Sequence, residues 1–218
     1  MLSKRLKTVA NLLTPCEKVA DVGTDHGYVP IYLVQENICK FAYAMDVNEG
    51  PLAIAKSNIK EAGLEDQIET ILSDGFDSFG DRKADAIIIA GMGGDLIVDI
   101  LTRARTYSFN EMILSPHKRA DLVRKFLSNS GYKISDEKMV EDAGKYYPII
   151  KANKGEGYCN QVQLEFGPVL LKNKDETLKE YLDIEYQKFS RIKNGLEKED
   201  KELDKKLELI KKGLNCFE

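Results

Sequence analysis

The chain has 218 residues, 43% of them hydrophobic, and a formal net charge of −4, enough for one globular domain of ordinary size plus an appendage. No stretch approaches the ~20 apolar residues that span a bilayer, and "MLSKRLKTVANLL" at the N-terminus is amphipathic where a secretion signal would be continuously apolar; a cytoplasmic protein with no membrane contact is expected. Cys16, Cys39, Cys159 and Cys216 form no C-x-x-C pair and only two histidines accompany them, which argues against a metal centre and against a disulfide framework.

After the N-terminal helix, short apolar runs alternate with helical patterns. "KVADVG" (18–23), "KFAYAMD" (40–46), "IETILSD" (68–74), "ADAIIIAG" (84–91) and "EMILSP" (111–116) read as strands. The first four are nearly continuous in apolar or β-branched residues, as strands covered on both faces are. Helical stretches fall at 27–37, 50–63, 95–106 and 118–131, with Gly63 and Gly131 at C-cap positions. Strict alternation of this kind predicts a doubly wound α/β sheet with right-handed crossovers. "GYKISDEKMVEDAGKYYPIIKANK" and "YCNQVQLEFGP", within 131–168, read as further strands added antiparallel at one edge. From about 172 the composition turns to charged helix formers. Leu178, Tyr181, Leu182, Phe189, Ile192 and Leu196 recur at helical spacing, as do Leu203, Leu207, Ile210 and Leu214. With a break near Asn194–Gly195 or around 199–201, this predicts a C-terminal antiparallel helical coiled coil. Residues 1–171 and 172–218 are therefore expected as two domains.

Charge is polarised along the chain. Residues 46–95 carry eleven acids and four bases, whereas residues 96–154 carry eleven bases and seven acids. One face of such a molecule can meet a polyanion, although the same residues also serve to solvate helix surfaces.

In a doubly wound sheet, ligands bind beyond the carboxyl ends of the strands. Four polar or glycine-rich stretches fall there: "DVGTDHG", "MDVNEGP", "SDGF" and "GMGGD". Gly23 permits a tight turn and close backbone approach, and the helix start after it offers free amides. A dinucleotide fingerprint wants G-x-G-x-x-G. Here the spacing is G-x-x-x-G, and Asp21 and Asp25 flank the turn, repelling a pyrophosphate and attracting a cation. S-adenosylmethionine suits such a site, because its amino group and sulfonium are positive while its carboxylate can take helix amides. Asp46 is placed to accept ribose hydroxyls, with Val47 beside it, and Asp74 to take an adenine amino group, with Gly75 leaving room for the ring. Each acid taken singly has an alternative role as a cap or turn residue. Gly91, Met92 and Gly93 form a backbone wall near the reacting centre, or else a flexible loop before a helix. His26 is either a site residue or a helix-start residue satisfying its neighbours. No G-K-[ST] follows, which excludes a phosphate-binding P-loop.

"LSKRL", "ADVGTDHGYVP", "AGMGGDLI", "EDAGKYYPII" and "EFGPVLLKNK" together resemble the bacterial tRNA (adenine-N1)-methyltransferases of the TrmK type, which act on adenine 22. The matching stretches run from residue 2 to about 174. The resemblance implies a class I methyltransferase (Rossmann-like) fold, S-adenosylmethionine as donor and tRNA as substrate. It places Asp25 as the catalytic aspartate and Asp21, Gly23, Thr24, Asp25, His26, Asp46, Val47, Asp74, Gly75, Gly91, Met92 and Gly93 around the cofactor. Arg5, Tyr28, Gly94, Ser115, Pro116, His117, Lys118 and Arg119 fall on the substrate side. Relatives usually carry a Q-P-N-like motif after the fifth strand, where this chain has "LSPHKRA".

Adenine N1 owns an in-plane lone pair, so transfer requires mainly an in-line approach to the methyl group. Asp25 is expected either to accept from the exocyclic amino group as charge builds on the ring, or to bind the donor's amino group. N1 lies on the pairing edge, so the target base must be exposed first. Lys4, Arg5, Lys118, Arg119, Arg124 and Lys125 are expected at phosphates, and Tyr28, Tyr146 and Tyr147 either stack on bases or pack in the protein. A methyltransferase of another RNA or a small molecule, and a non-catalytic RNA-binding module, are the alternative readings. Oligomeric state is open, with a monomer favoured.

Overall fold

The computed structural model describes residues 2–196 and 198–218. Five parallel strands, β1 (Cys16–Val22), β2 (Cys39–Asp46), β3 (Ile68–Leu72), β4 (Ala86–Ala90) and β5 (Glu111–Ser115), are joined to an antiparallel pair, β6 (Tyr132–Asp142) and β7 (Lys145–Lys154). The sheet order is β3-β2-β1-β4-β5-β7-β6. The chain builds outward from β1 to β3, then crosses back to lay β4 on the other side of β1. The crevice at that reversal, beyond the carboxyl ends of β1 and β4, is where this architecture places ligands. It is the doubly wound arrangement the alternating pattern predicted, and the class I methyltransferase (Rossmann-like) order the family resemblance implied.

Residues Ile87, Ile88 and Ile89 are all fully buried because both sheet faces are covered. Ile87 and Ile89 pack with Met45, Phe79, Ile97 and Leu114 on one face. On the other, Ile88 packs with Val9, Leu33, Ala44 and Ile113. The helices that cover these faces are α1 (Lys4–Leu12), α2 (Tyr28–Gln35), α3 (Glu49–Glu61), α4 (Gly94–Arg103) and α5 (Ala120–Asn129). Each lies within a few residues of its expected span.

One expected strand is a helix. "YCNQVQLEFGP" forms α6 (Gln161–Phe166), because Asn160 and Gln163 make a reciprocal capping box, with Gln163 N donating to Asn160 Oδ1 at 3.0 Å and Asn160 N donating to Gln163 Oε1 at 2.9 Å. Val162, Leu164 and Phe166 alternate as in a strand, and the caps decide the matter. Gly167, at φ +96°, ends this helix and Pro168 begins α7 (Pro168–Lys172).

β6 and β7 continue past the end of β5: their pairing runs on through Val140–Tyr147 to Asp142–Lys145, whereas β5 pairs with β7 only from Glu111 to Leu114. The hairpin tip therefore stands above the carboxyl edge of the sheet. The C-terminal helices α8 (Glu176–Asn194) and α9 (Lys201–Leu214) are separated at the two places the sequence marks, Gly195 and the Asp200 N-cap. They run antiparallel, with the end of α8 at the start of α9 through a Lys193–Asp204 ion pair at 2.5 Å. Leu178, Leu182 and Ile210 share an apolar cluster with Phe166, Leu170 and Leu171, which anchors this pair on α6 and α7.

Candidate active site

The turn after β1 is held in an unusual backbone conformation. Gly23 (φ +77°) lets the chain fold back so that Gly23 N and Thr24 N both donate to Met45 O, at 2.8 and 2.9 Å. Asp25 (φ +33°), His26 (φ +68°) and Gly27 (φ +73°) then follow in the left-handed region. Two of them carry a Cβ, so the conformation costs energy and the surroundings must impose it. Asn58 Nδ2 donates to His26 O at 2.8 Å, and the missing Cβ of Gly27 makes room for Ala55. This turn projects the Asp25 carboxylate outward, its side chain 77% exposed and 3.3 Å from His26 Nε2.

Asp21, at the end of β1, is only 3% exposed. Burial pushes its carboxyl up to about 7, with the negative charges of Asp46 and Asp25 adding to the rise and the nearby Thr24 hydroxyl opposing it. Asp46 is buried at the end of β2 and accepts from Asn48 N at 2.8 Å. Asp74 stands exposed after β3 and is already engaged: Arg103 Nη2 donates to its Oδ1 at 2.8 Å, while the same guanidinium reaches Asp77 and Asp99. Gly75 (φ +57°) is shaped from below by Ser73, whose hydroxyl donates to Gly75 O at 3.0 Å. Arg103 and Asn58 are therefore structural parts of the site that sequence reasoning missed. Arg103 was counted within the basic segment, and an asparagine in the middle of a helix carries no local signal.

The glycine ledge after β4 is stitched to the segment after β5. Gly91 N donates to Ser115 O at 3.3 Å, His117 N to Met92 O at 2.8 Å, and Gly94 N to Lys118 O at 2.9 Å. The Arg119 carbonyl occupies the space a Gly94 side chain would need. On its other side the ledge meets the first turn, where the Met92 methyl lies over Gly23 in the space a Cβ would fill. Ser115 and Pro116 are buried, whereas His117, Lys118 and Arg119 are exposed. The Lys118 side chain runs along Gly93, and Arg119 pairs with Asp121 at 3.0 Å. The Tyr147 ring lies 5.1 Å from Arg5 Cζ and 5.2 Å from the His117 ring. Partial desolvation of the ring against its neighbours, followed by the charges of Arg5 and Lys145, holds His117 below the usual histidine range although the residue as a whole is exposed. Tyr28 and Val47 are exposed at the rims of the first and second turns.

Among the described residues, five buried side-chain atoms have no hydrogen-bond partner: Arg5 Nη1, Asp21 Oδ2, Thr24 Oγ1, His26 Nδ1 and Ser115 Oγ. All five belong to residues expected in the site. An unmet buried polar atom is costly, and a concentration of them marks a place built to be completed by something else. Asp21 and Asp46 supply buried negative charge suited to a cationic group, and the turn and ledge glycines supply bare backbone beside it.

Two expectations need correcting. Arg124 is not available to phosphates: its side chain is 1% exposed and pairs with Glu137 at 2.8 Å, while Nη1 donates to Leu164 O and Glu165 O. Arg103, counted as part of a polyanion-binding face, is occupied by its three carboxylates. Lys4 and Lys125 are exposed. No cluster of three or more candidate metal ligands occurs among the described residues.

A family model described as "tRNA (adenine(22)-N(1))-methyltransferase" matches residues 19–216. A protein of that name from Bacillus subtilis (strain 168) is 35% identical over 182 residues, covering 80% of this chain and 76% of the relative. The structure of Mycoplasma capricolum TrmK in complex with S-adenosyl-homocysteine aligns with TM-score 0.90 and 32% identity over 100% of both chains. Streptococcus pneumoniae Sp1610, solved in complex with S-adenosyl-L-methionine, aligns with TM-score 0.91 and 34% identity over 98% of this chain and 100% of that one.

Proposed function

This chain belongs to the tRNA (adenine(22)-N(1))-methyltransferase family, and on that premise we propose how its own residues transfer a methyl group from S-adenosylmethionine to N1 of adenine 22 in tRNA. The observation that carries the assignment of residues is the gathering of unmet polar atoms of Asp21, Thr24, His26, Ser115 and Arg5 at one edge of the sheet.

The donor supplies an electrophilic methyl group on a positively charged sulfur. The chain's residues fit it. The buried Asp21 carboxylate, short of a partner, takes the ammonium group, and the Thr24 hydroxyl, also without a partner, takes the donor carboxylate. Asp46 accepts the ribose hydroxyls, with Val47 against the ring edge. Asp74 and Gly75 flank the adenine, and Arg103 fixes the Asp74 carboxylate. Met92, unbranched and rotatable, is the one ledge side chain lying over the Gly23 turn, and it moves aside for a ligand at little cost.

The target base lies between Asp25 and the ledge of Gly91, Met92, Gly93 and Gly94. Positioning is the main contribution, because N1 needs no deprotonation. Asp25, exposed beside His26, accepts a hydrogen bond from the exocyclic amino group. That bond strengthens as positive charge moves onto the ring, and Asp25 can later accept a proton from the same group. Ser115 Oγ and the His117 imidazole stand at the substrate side of the ledge, where Pro116 fixes the backbone. Arg5, Lys118 and Arg119 meet phosphates, and Tyr28 and Tyr147 offer stacking faces.

Residues 1–171 act as the methyltransferase domain and 172–218 as the helical appendage, in a cytoplasmic, monomeric enzyme that needs no metal. No helix among the described residues is long and apolar enough to cross a membrane. The test is mass mapping of nucleosides after incubating purified protein, donor and unmodified tRNA. N1-methyladenine at position 22 supports the reading, and methylation at another position or of no nucleoside defeats it.

A further inference from the structure

A cavity of about 240 Å³ lies between the Pro116–Asp121 segment, the overhanging β6–β7 hairpin and α8. Its walls are Tyr146 and Tyr181, with ring centroids 5.5 Å apart, together with Pro148, Glu165 and the imidazole of His117. His117 is shared with the reaction site: its Nε2 lies 4.0 Å from where a Cβ on Gly91 would stand. One aromatic ring thus separates the glycine ledge from this cavity.

Lys118 completes the relationship. It lines the same cavity, while its side chain runs along Gly93 on the ledge, so this one cationic residue borders both compartments. A linear polyanion that places one base at the ledge must pass its next phosphate near that position. The cavity combines aromatic and apolar walls with two carboxylates: Asp121 is held by Arg119, and Glu165, which burial and the neighbouring Asp121 charge raise above the usual range, is the acceptor left for a ligand, while Arg124 at the wall is taken up by Glu137. Aromatic and apolar walls, a carboxylate free to accept and a cation bordering the site match a nucleobase and its phosphate.

Resting on the tRNA methyltransferase reading above, we propose that this cavity receives the base of a nucleotide next to the target, seated against Tyr146 and partitioned from the methylation site by His117, with Lys118 on the intervening phosphate. The pocket would hold the extruded conformation open by stabilising the neighbour out of its stack, offsetting part of the cost of exposing the target.

Methylation kinetics test this with tRNA substrates that are abasic at one or the other nucleotide flanking the target. Loss of a base–aromatic stack predicts that Tyr146→Ala raises KM for tRNA roughly 5- to 100-fold, with kcat and donor affinity nearly unchanged, and that Tyr146→Phe restores KM. With wild-type enzyme, one of the two abasic substrates should show a similar rise, and Tyr146→Ala should add nothing further on that substrate. Unchanged KM for Tyr146→Ala, or for both abasic substrates with wild-type enzyme, overturns the proposal, as does a loss that multiplies when both changes are combined. The abasic substrates decide the matter with wild-type enzyme alone if the variant does not fold. Failure of wild-type enzyme to methylate intact tRNA would instead remove the underlying reading.

Discussion

Arg124 and Glu137 form an ion pair at 2.8 Å with side chains 1% and 0% exposed. The guanidinium also donates to two carbonyls in α6, and Glu137 Oε2 accepts from Val169 N in α7 at 2.9 Å. One buried pair therefore ties α5, β6 and the two short helices that carry the C-terminal appendage. The bare approach of Gly167 to the same carboxylate shows how closely the chain is fitted around it.

Removing one partner leaves the other charged, buried and unpaired. Arg124→Ala should cost about 3–5 kcal/mol, whereas replacing both residues with apolar ones of similar size should cost much less. Chemical denaturation of the single and double variants measures this. A single variant as stable as the parent would mean that water reaches the pair.

Asp21 gives a pH dependence with a definite sign. Its carboxyl is raised to about 7 by burial, with Asp46 and Asp25 adding and Thr24 opposing, against ~3.9 for a free aspartate. Between these values the folded state holds a proton that the unfolded chain has released. Stability contributed by this group therefore falls as pH rises from about 4 to about 7 and is fully lost above that. A cationic ligand reverses the preference, since it selects ionised Asp21. Donor affinity should climb as pH rises toward 7 and level off beyond it, with proton release on binding below that point. Calorimetry in buffers of different ionisation enthalpy reads the released proton. Asp21→Asn should flatten the affinity profile, weakening binding at and above about pH 7 and converging on the parent as pH falls.

The parallel sheet was legible because runs such as Ile87–Ile89 have no polar alternation, as two covered faces require. The placement of Asp21, Gly23, Asp46 and Gly91 followed from a rule about strand ends that needs no tertiary detail. What escaped the sequence is pairing across space. The burial of Arg124 depends on Glu137, thirteen positions away on another element, and the restraint on Asp74 depends on Arg103. The helix at Gln161–Phe166 was missed because its apolar residues alternate as a strand's do, although the Asn160–Gln163 capping pattern was there to be read.

Gly94 separates two kinds of glycine requirement in the ledge. Its φ is not in the left-handed region, so an alanine is tolerated by its own backbone, but the added methyl would run into the Arg119 carbonyl. Backbone cannot swing away as a side chain can. Gly94→Ala should cost about 1–3 kcal/mol and push the 115–119 segment off the ledge, raising KM for tRNA more than the Kd for donor. Thermal melts with both binding measurements check it, and an unaltered melting temperature would show that the segment shifts freely.

Asp25 differs from Asp21 in exposure, and that difference makes their proposed roles separable by experiment. Asp21 is buried at the end of β1, out of reach of a bulky substrate, whereas Asp25 is thrust outward by three successive left-handed residues. Strain of that kind persists only where the surroundings impose it, and here Asn58 and Ala55 do so. If Asp25 acts on the target adenine, Asp25→Ala should lower kcat about 10²–10⁴-fold with donor Kd almost unchanged, and Asp25→Asn should stay low because the amide cannot accept a proton. If Asp25 instead holds the donor's amino group, both variants should weaken donor binding as strongly as Asp21→Asn does. Single-turnover rates at saturating donor, set beside donor affinity, distinguish the two. Asn58→Ala supplies the control: it releases the turn without touching either carboxylate, so it should reproduce part of the kcat loss while leaving the Asp21-dependent pH profile of donor binding in place.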